Sequence, residues 1–225
     1  MRMCVILLTA LCALLSAISA GSARADDEFL DWKWDSFDQA CDSDCFAAIY
    51  GGPFVETSMS SILALDGYTA PWNVETGSGG LIAGTIGRRV ATLWGVIDVE
   101  PEIGIAKRFG NMDQTEIWAA IFFRWTKFPW NDVIYTTVAA STGLNYAFGL
   151  SDIERKRANN NNEGSRLLHF FSPEITFAMP ENKDLEVLFR FHHRSGGKEV
   201  FCGTGVFNCA SGGAHYATVG LRYRF

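Results

Sequence analysis

Two residues near the C-terminal end have the types and spacing to do chemistry. His193 and Ser195 stand two apart in Phe191-His192-His193-Arg194-Ser195-Gly196. Side chains two apart on a strand point the same way, so this imidazole and this hydroxyl can meet. A histidine acting as general base takes the proton from a serine Oγ as it attacks an ester carbonyl, which is the chemistry of acyl transfer. A third group should orient the imidazole. Glu199 does so if the Gly196-Gly197 turn folds back; otherwise it is a solvated loop charge beside Lys198. His215 has the same parity on the following strand, where it either touches the pair or is simply an interfacial residue. The plainer reading of His193 and Ser195 is an interfacial polar pair at a strand end.

The pair needs a strand to hold it, and the chain is rich in them. Runs of β-branched and aromatic residues ending in turn residues recur along it. Eight are expected: Val55–Leu65, Leu81–Leu93, Val96–Arg108, Glu116–Lys127, Val133–Leu144, Leu167–Met179, Asp184–Ser195 and Ala214–Phe225. Short connections at Trp94-Gly95, Phe128–Asp132 and Pro180–Lys183 alternate with longer ones, as in outer-membrane barrels with tight periplasmic turns and larger outer loops. In the last run Ala217, Val219, Leu221, Tyr223 and Phe225 share one face, and Thr218, Gly220, Arg222 and Arg224 the other. The seventh repeats this: Leu185, Val187, Phe189 and Phe191 oppose Glu186, Arg190, His192 and Arg194, with Leu188 as an exception. Continuing the alternation puts His193 and Ser195 on the apolar, lipid-facing stripe at the outer end of their strand. Polar groups there cost free energy unless they sit at the interface or have work to do.

The fold class expected is therefore all-β: an eight-stranded antiparallel transmembrane β-barrel with a short N-terminal periplasmic segment. Of the 225 residues 48% are hydrophobic and 20% charged, which excludes disorder. The charge of −6, with no basic excess, excludes a nucleic-acid-binding tail. Residues 1–25 read as a signal peptide: Met1-Arg2, an apolar run from Val5 to Ile18, then Ala23-Arg24-Ala25 before Asp26. That run is shorter than the ~20 residues a spanning helix needs. Residues 26–54 are taken as the N-terminal segment, with Asp31–Tyr50 as a short cap or plug, and 55–225 as the barrel. Four cysteines remain beyond the signal, as Cys41/Cys45 and Cys202/Cys209, and export favours disulfides over a metal site.

Phe191–Gly196, followed after a loop by Gly220-Leu221-Arg222-Tyr223-Arg224-Phe225, resembles the PagL-type lipid A 3-O-deacylases and their acyloxyacyl-hydrolase-like relatives. The resemblance implies an eight-stranded barrel in the bacterial outer membrane that hydrolyses an ester-linked hydroxyacyl chain of lipid A. It implies Ser195 as nucleophile and His193 as base, no cofactor and no metal. It implies lipopolysaccharide as the partner, and Phe225 as the signal read by the barrel-assembly machinery. Two positions depart from the family pattern. Gly196 stands where Asn follows the serine, and Gly205-Val206-Phe207-Asn208 carries no acid where the orienting Glu should be, leaving Glu199 as the substitute.

The other charged residues have simpler expected roles. Glu186, Arg190, His192, Arg194, Arg222 and Arg224 should form an ion-pair network in a narrow, non-conducting interior. Trp72, Trp94, Trp125 and Trp130 suit aromatic girdles. Arg155-Lys156-Arg157 is either a phosphate-binding or a merely solvated loop cluster, His169 has no clear partner, and Gly77–Gly80 reads as a flexible loop. Two rival functions remain: a catalytically inactive structural or lipid-binding barrel of the same fold, and a soluble lipocalin-like barrel with an apolar lumen.

Overall fold

In the computed structural model the described residues are 30–32, 40–62, 67–70, 73–158, 163–197, 206–210 and 212–225. The strands are β1 (Leu30–Trp32), β2 (Cys45–Val55), β3 (Thr76–Arg88), β4 (Ala91–Leu93), β5 (Ile97–Gly110), β6 (Thr115–Trp125), β7 (Tyr135–Ala147), β8 (Leu167–Phe171), β9 (Glu174–Met179), β10 (Asn182–Ser195) and β11 (Ala214–Arg224). Two short helices, α1 (Met59–Ile62) and α2 (Asp152–Arg157), lie in loops.

Every neighbour pairs antiparallel, and β11 pairs with β2, which closes the sheet. The barrel has eight staves because two of them are broken strands. β3 and β4 both pair with β5, and β8 and β9 both pair with β10. The second break falls at Ser172-Pro173, where proline has no N–H for the ladder. Side chains bridge the gap: Ser172 N–H donates to Ser141 Oγ (2.9 Å), and Ser172 Oγ donates to Phe191 O (3.1 Å). At the end with the shorter turns, Phe225 N–H donates to Cys45 O (3.0 Å), so β11 and β2 are tied to the last residue.

The parity is that of a barrel surrounded by hydrocarbon. Along β6, Glu116, Trp118, Ala120, Phe122 and Arg124 are buried inside, while Ile117, Ile121, Phe123 and Trp125 are exposed outside. Ile49, Ile82, Ile86, Ile103, Ile105, Val187, Phe189, Val219 and Leu221 extend this apolar wall around the barrel. In water such a surface would be an aggregation hazard; in lipid, a closed sheet with all backbone groups paired is a stable solution. The soluble lipocalin-like reading needs the reverse parity. Trp94, Trp125, Trp130, Tyr223 and Phe225 are exposed towards the turn end, where an aromatic girdle belongs. Trp72 lies outside the described residues.

The interior is filled by charge. Among the described residues, six arginines and six glutamates bury their side chains against one another. Glu100 receives Arg124, Arg222 and Arg224; Glu186 receives Arg222 and Arg224; Glu174 receives Arg124 and Arg190; Glu102 receives Arg190. Nearer the loop end, Arg108 and Arg194 share Glu116 and Glu154. Burial of these ions costs desolvation that the mutual pairing offsets, and every acid but Glu102 serves more than one base. Glu154 comes from α2, whose capping box pairs Ser151 and Glu154, so the β7–β8 loop drops a carboxylate into the barrel mouth.

Three expectations need correction. The first stave is Cys45–Val55, not Val55–Leu65, so the barrel begins within the segment 26–54, and Met59–Ile62 is a helical turn. Gly51-Gly52-Pro53, placed in the N-terminal segment between the expected cap and the first expected strand, lies within β2. A Cβ on Gly52 would stand 1.9 Å from Ala217 O, so glycine is what permits the two strands to close there. Gly77–Gly80 begins β3 instead of forming a loop; Gly79 has φ 117° beside Phe109 O. His169 does have a partner, described below. Cys41–Cys45 is a disulfide as expected. Cys209 is also disulfide-bonded, while Cys202 and residues 1–25 lie outside the described residues.

Candidate functional site

Burial along β10 alternates from Leu185 to His192, and the parity continues to its end: His193 stacks near the outward ring of Phe191, and Ser195, two residues on, takes the same side as Val187 and Phe189. Arg194, between them, points inward. Its guanidinium donates to Glu154 Oε1 (2.5 Å) and Arg166 O (2.6 Å), which anchors the end of β10 to the loop that carries α2.

His193 is nearly covered, with 7% of its surface exposed, and Ser195 is half-buried. The cover comes partly from rings. His193 stacks near Phe191 (centroids 6.4 Å) and lies 5.4 Å from His215, its register partner on β11. His215 also stacks on Phe191 at 5.5 Å. A carbonyl can only accept, so His215 Nε2 carries the proton in its 2.8 Å bond to Thr57 O. On the other flank His169 of β8 is the register partner of Ser195, and its Nε2 bonds Thr142 Oγ1 at 2.9 Å.

Thr142, His169, Ser195, His193 and His215 thus form a polar band crossing β7, β8, β10 and β11 near the loop end of an otherwise apolar wall. Sequence parity found His215; it missed His169, because only the β8–β10 register brings that ring opposite Ser195. Among the described residues no hydrogen bond joins His193 to Ser195, and His193 Nδ1 is buried with no partner. Glu199 lies outside the described residues. The three histidines of the band do not form a metal-ligand set among the described residues.

At Gly196, where the PagL-type pattern has asparagine, the backbone leaves no room for a side chain. A Cβ there would lie 1.9 Å from Ala210 O, so the β10–β11 loop passes too close for a side chain.

On the inward side the neighbouring His192 is fully engaged. Its Nε2 bonds Glu116 Oε1 (2.6 Å) and its Nδ1 bonds Tyr50 Oη (3.0 Å), within the lumen network. Its chemistry is separated from Ser195 by the sheet itself.

Together, the fold and the band define a small transmembrane-type β-barrel with a polar, histidine-rich band on the outside of the wall. No family model matches the chain, and no curated protein matches it. Among solved structures it is similar to Neisserial surface protein A (NspA), with 10% sequence identity and a TM-score of 0.46 over 83% of this chain and 100% of that one.

Proposed function

We propose that the protein is a bacterial outer-membrane esterase that removes an ester-linked hydroxyacyl chain from lipid A. The observation that carries this reading is the placing of Ser195 and His193 on the outward face, at the loop end of the apolar wall, with His169 and His215 beside them. A lipid ester at the outer leaflet would meet the hydroxyl there without leaving the membrane.

In the proposed reaction Ser195 Oγ bonds to the acyl carbonyl carbon while His193 takes its proton. The tetrahedral intermediate collapses, the bond to the sugar oxygen breaks, and that oxygen leaves with the proton from His193. Water then attacks the acyl-enzyme, giving up a proton to His193; that proton returns to Ser195 as the fatty acid departs. Exposed Arg155, Lys156 and Arg166 on the loop side suit the phosphates of lipopolysaccharide. Exposed Phe225 and Tyr223 suit recognition by the barrel-assembly machinery.

A second reading, a lipid-binding barrel without catalysis, draws on the close cover of His193 and its partnerless Nδ1. Mass spectrometry of lipid A from cells expressing wild type, Ser195→Ala and His193→Ala separates the two. The esterase predicts loss of one hydroxyacyl chain in wild type alone. No loss in wild type supports the second reading, and equal loss in all three removes these residues from the chemistry.

A further inference from the structure

The outer wall has a low place directly beneath the imidazoles. Nearer the turn end the neighbouring strands carry large outward groups, such as Ile49, Leu221 and Tyr223, and Val219 forms the rim. At one level they carry small ones: Gly51 and Ala217, with Pro53 alongside. These floor a depression of about 680 Å³ walled by Phe189 and Phe191 on one side and closed by Val138 and Ile175. Its loop-side wall is Phe191, the ring that stacks on both His193 and His215.

From this we propose that the depression seats one acyl chain of a membrane lipid, with the ester end of that chain at the His193–His215 edge. The proposal deepens the esterase reading and rests on it for what happens at that edge. The wall faces hydrocarbon, so the occupant must be hydrocarbon. Lipid tails are as apolar as the wall, so the hydrophobic effect provides no net pull, and only packing favours one chain in the trough over the bulk. The trough therefore acts by orientation. A chain held along it brings its carbonyl to Ser195 in a limited range of poses, and misplacement by about 1 Å can cost about a hundredfold in rate.

Ala217→Phe fills the floor while keeping an apolar residue on the lipid side; Leu221→Phe, outside the depression, is the control. Two measurements on the full chain in phospholipid vesicles test the proposal. In the first, a glucosamine 3-O-acyl ester with a diazirine in the acyl chain is photolysed with the Ser195→Ala protein. Adducts are expected on Val138, Ile175, Phe189 and Phe191, and are expected to disappear in Ser195→Ala/Ala217→Phe but not in Ser195→Ala/Leu221→Phe. In the second, Ala217→Phe is expected to slow cleavage of long-chain esters by about tenfold or more while leaving a short, water-soluble ester unaffected. Adducts scattered evenly over the wall, or long-chain cleavage unchanged in Ala217→Phe, overturn the trough and leave the esterase standing. Localised adducts with no cleavage by wild type overturn the esterase and support the trough as a lipid seat.

Discussion

Ser195 on β10 stands directly across the sheet from His169 on β8, and His169 is itself tied to Thr142 through Nε2. Side chains directly opposite on antiparallel strands have Cβ atoms about 5 Å apart. The hydroxyl therefore has an imidazole on two sides, His193 along its own strand and His169 across it. With His193 as the base, His193→Ala is expected to lower lipid A deacylation by roughly 10²–10⁴-fold. His169→Ala and Thr142→Val should cost much less, and similar amounts to each other. A larger loss in His169→Ala than in His193→Ala, measured on the same purified lipopolysaccharide, would transfer the role of base to His169.

Gly196→Asn brings the motif closer to the PagL-type pattern, yet for the proposed esterase it should lower activity. The new Cβ would meet Ala210 O, so either the β10–β11 loop or the end of β10 must shift. Lower deacylase activity than wild type is expected, with an intact barrel by circular dichroism. A gain in activity would show that the loop yields freely there.

In the lumen, Glu100→Gln leaves Arg124, Arg222 and Arg224 short of a shared counter-charge. Breaking a buried ion pair by removing one partner costs about 3–5 kcal/mol. Urea unfolding in detergent micelles should show a loss of that order, whereas removal of the exposed Lys107–Asp113 pair by Asp113→Asn should change stability by less than about 1 kcal/mol.

Ile103→Arg tests the wall. Ile103 lies midway along β5 and faces outward. On a soluble barrel an arginine at such an exposed site is nearly neutral. In lipid at mid-depth it costs about 2–4 kcal/mol. Reduced folding into vesicles, with little change for a substitution at exposed Asp113 in the loop-side turn, is the expected result.

The capping box of α2 should control the loop-side mouth. Ser151→Ala removes the hydroxyl that accepts Glu154 N–H, a loss of about 1 kcal/mol for the helix. Loosening α2 withdraws Glu154 from Arg108 and Arg194. Trypsin should then cut at Arg155 and Lys156 faster than in wild type.

The staves that kept a strict period of two were legible in the sequence. From Ala217 onward β11 alternates as its sequence does, with Ala217, Val219, Leu221 and Tyr223 outward and Thr218, Arg222 and Arg224 buried, and β6 shows the same period of two. β2 was hidden because Gly51-Gly52-Pro53 looks like a turn; the contact that makes Gly52 necessary comes from β11, far along the chain. The bend at Pro173 was hidden for the opposite reason, since apolar residues continue on either side of it. Ser151-x-x-Glu154 is a local capping signal, and it marks the start of α2. The pairing of Arg190 with Glu102, and of Ser195 with His169, follows from strand register, which no local pattern states. The outward placing of His193 and Ser195 needed only the parity of their own strand, so it could be read directly.

The twelve interlocked ions of the lumen have a kinetic consequence. With that centre blocked and the band facing outwards, whatever meets Ser195 arrives sideways, by drifting within one leaflet. For the esterase proposed above, turnover should then follow the mole fraction of the ester among its neighbouring lipids, not its amount per millilitre, and inert amphiphile mixed into the same surface should slow it by surface dilution alone.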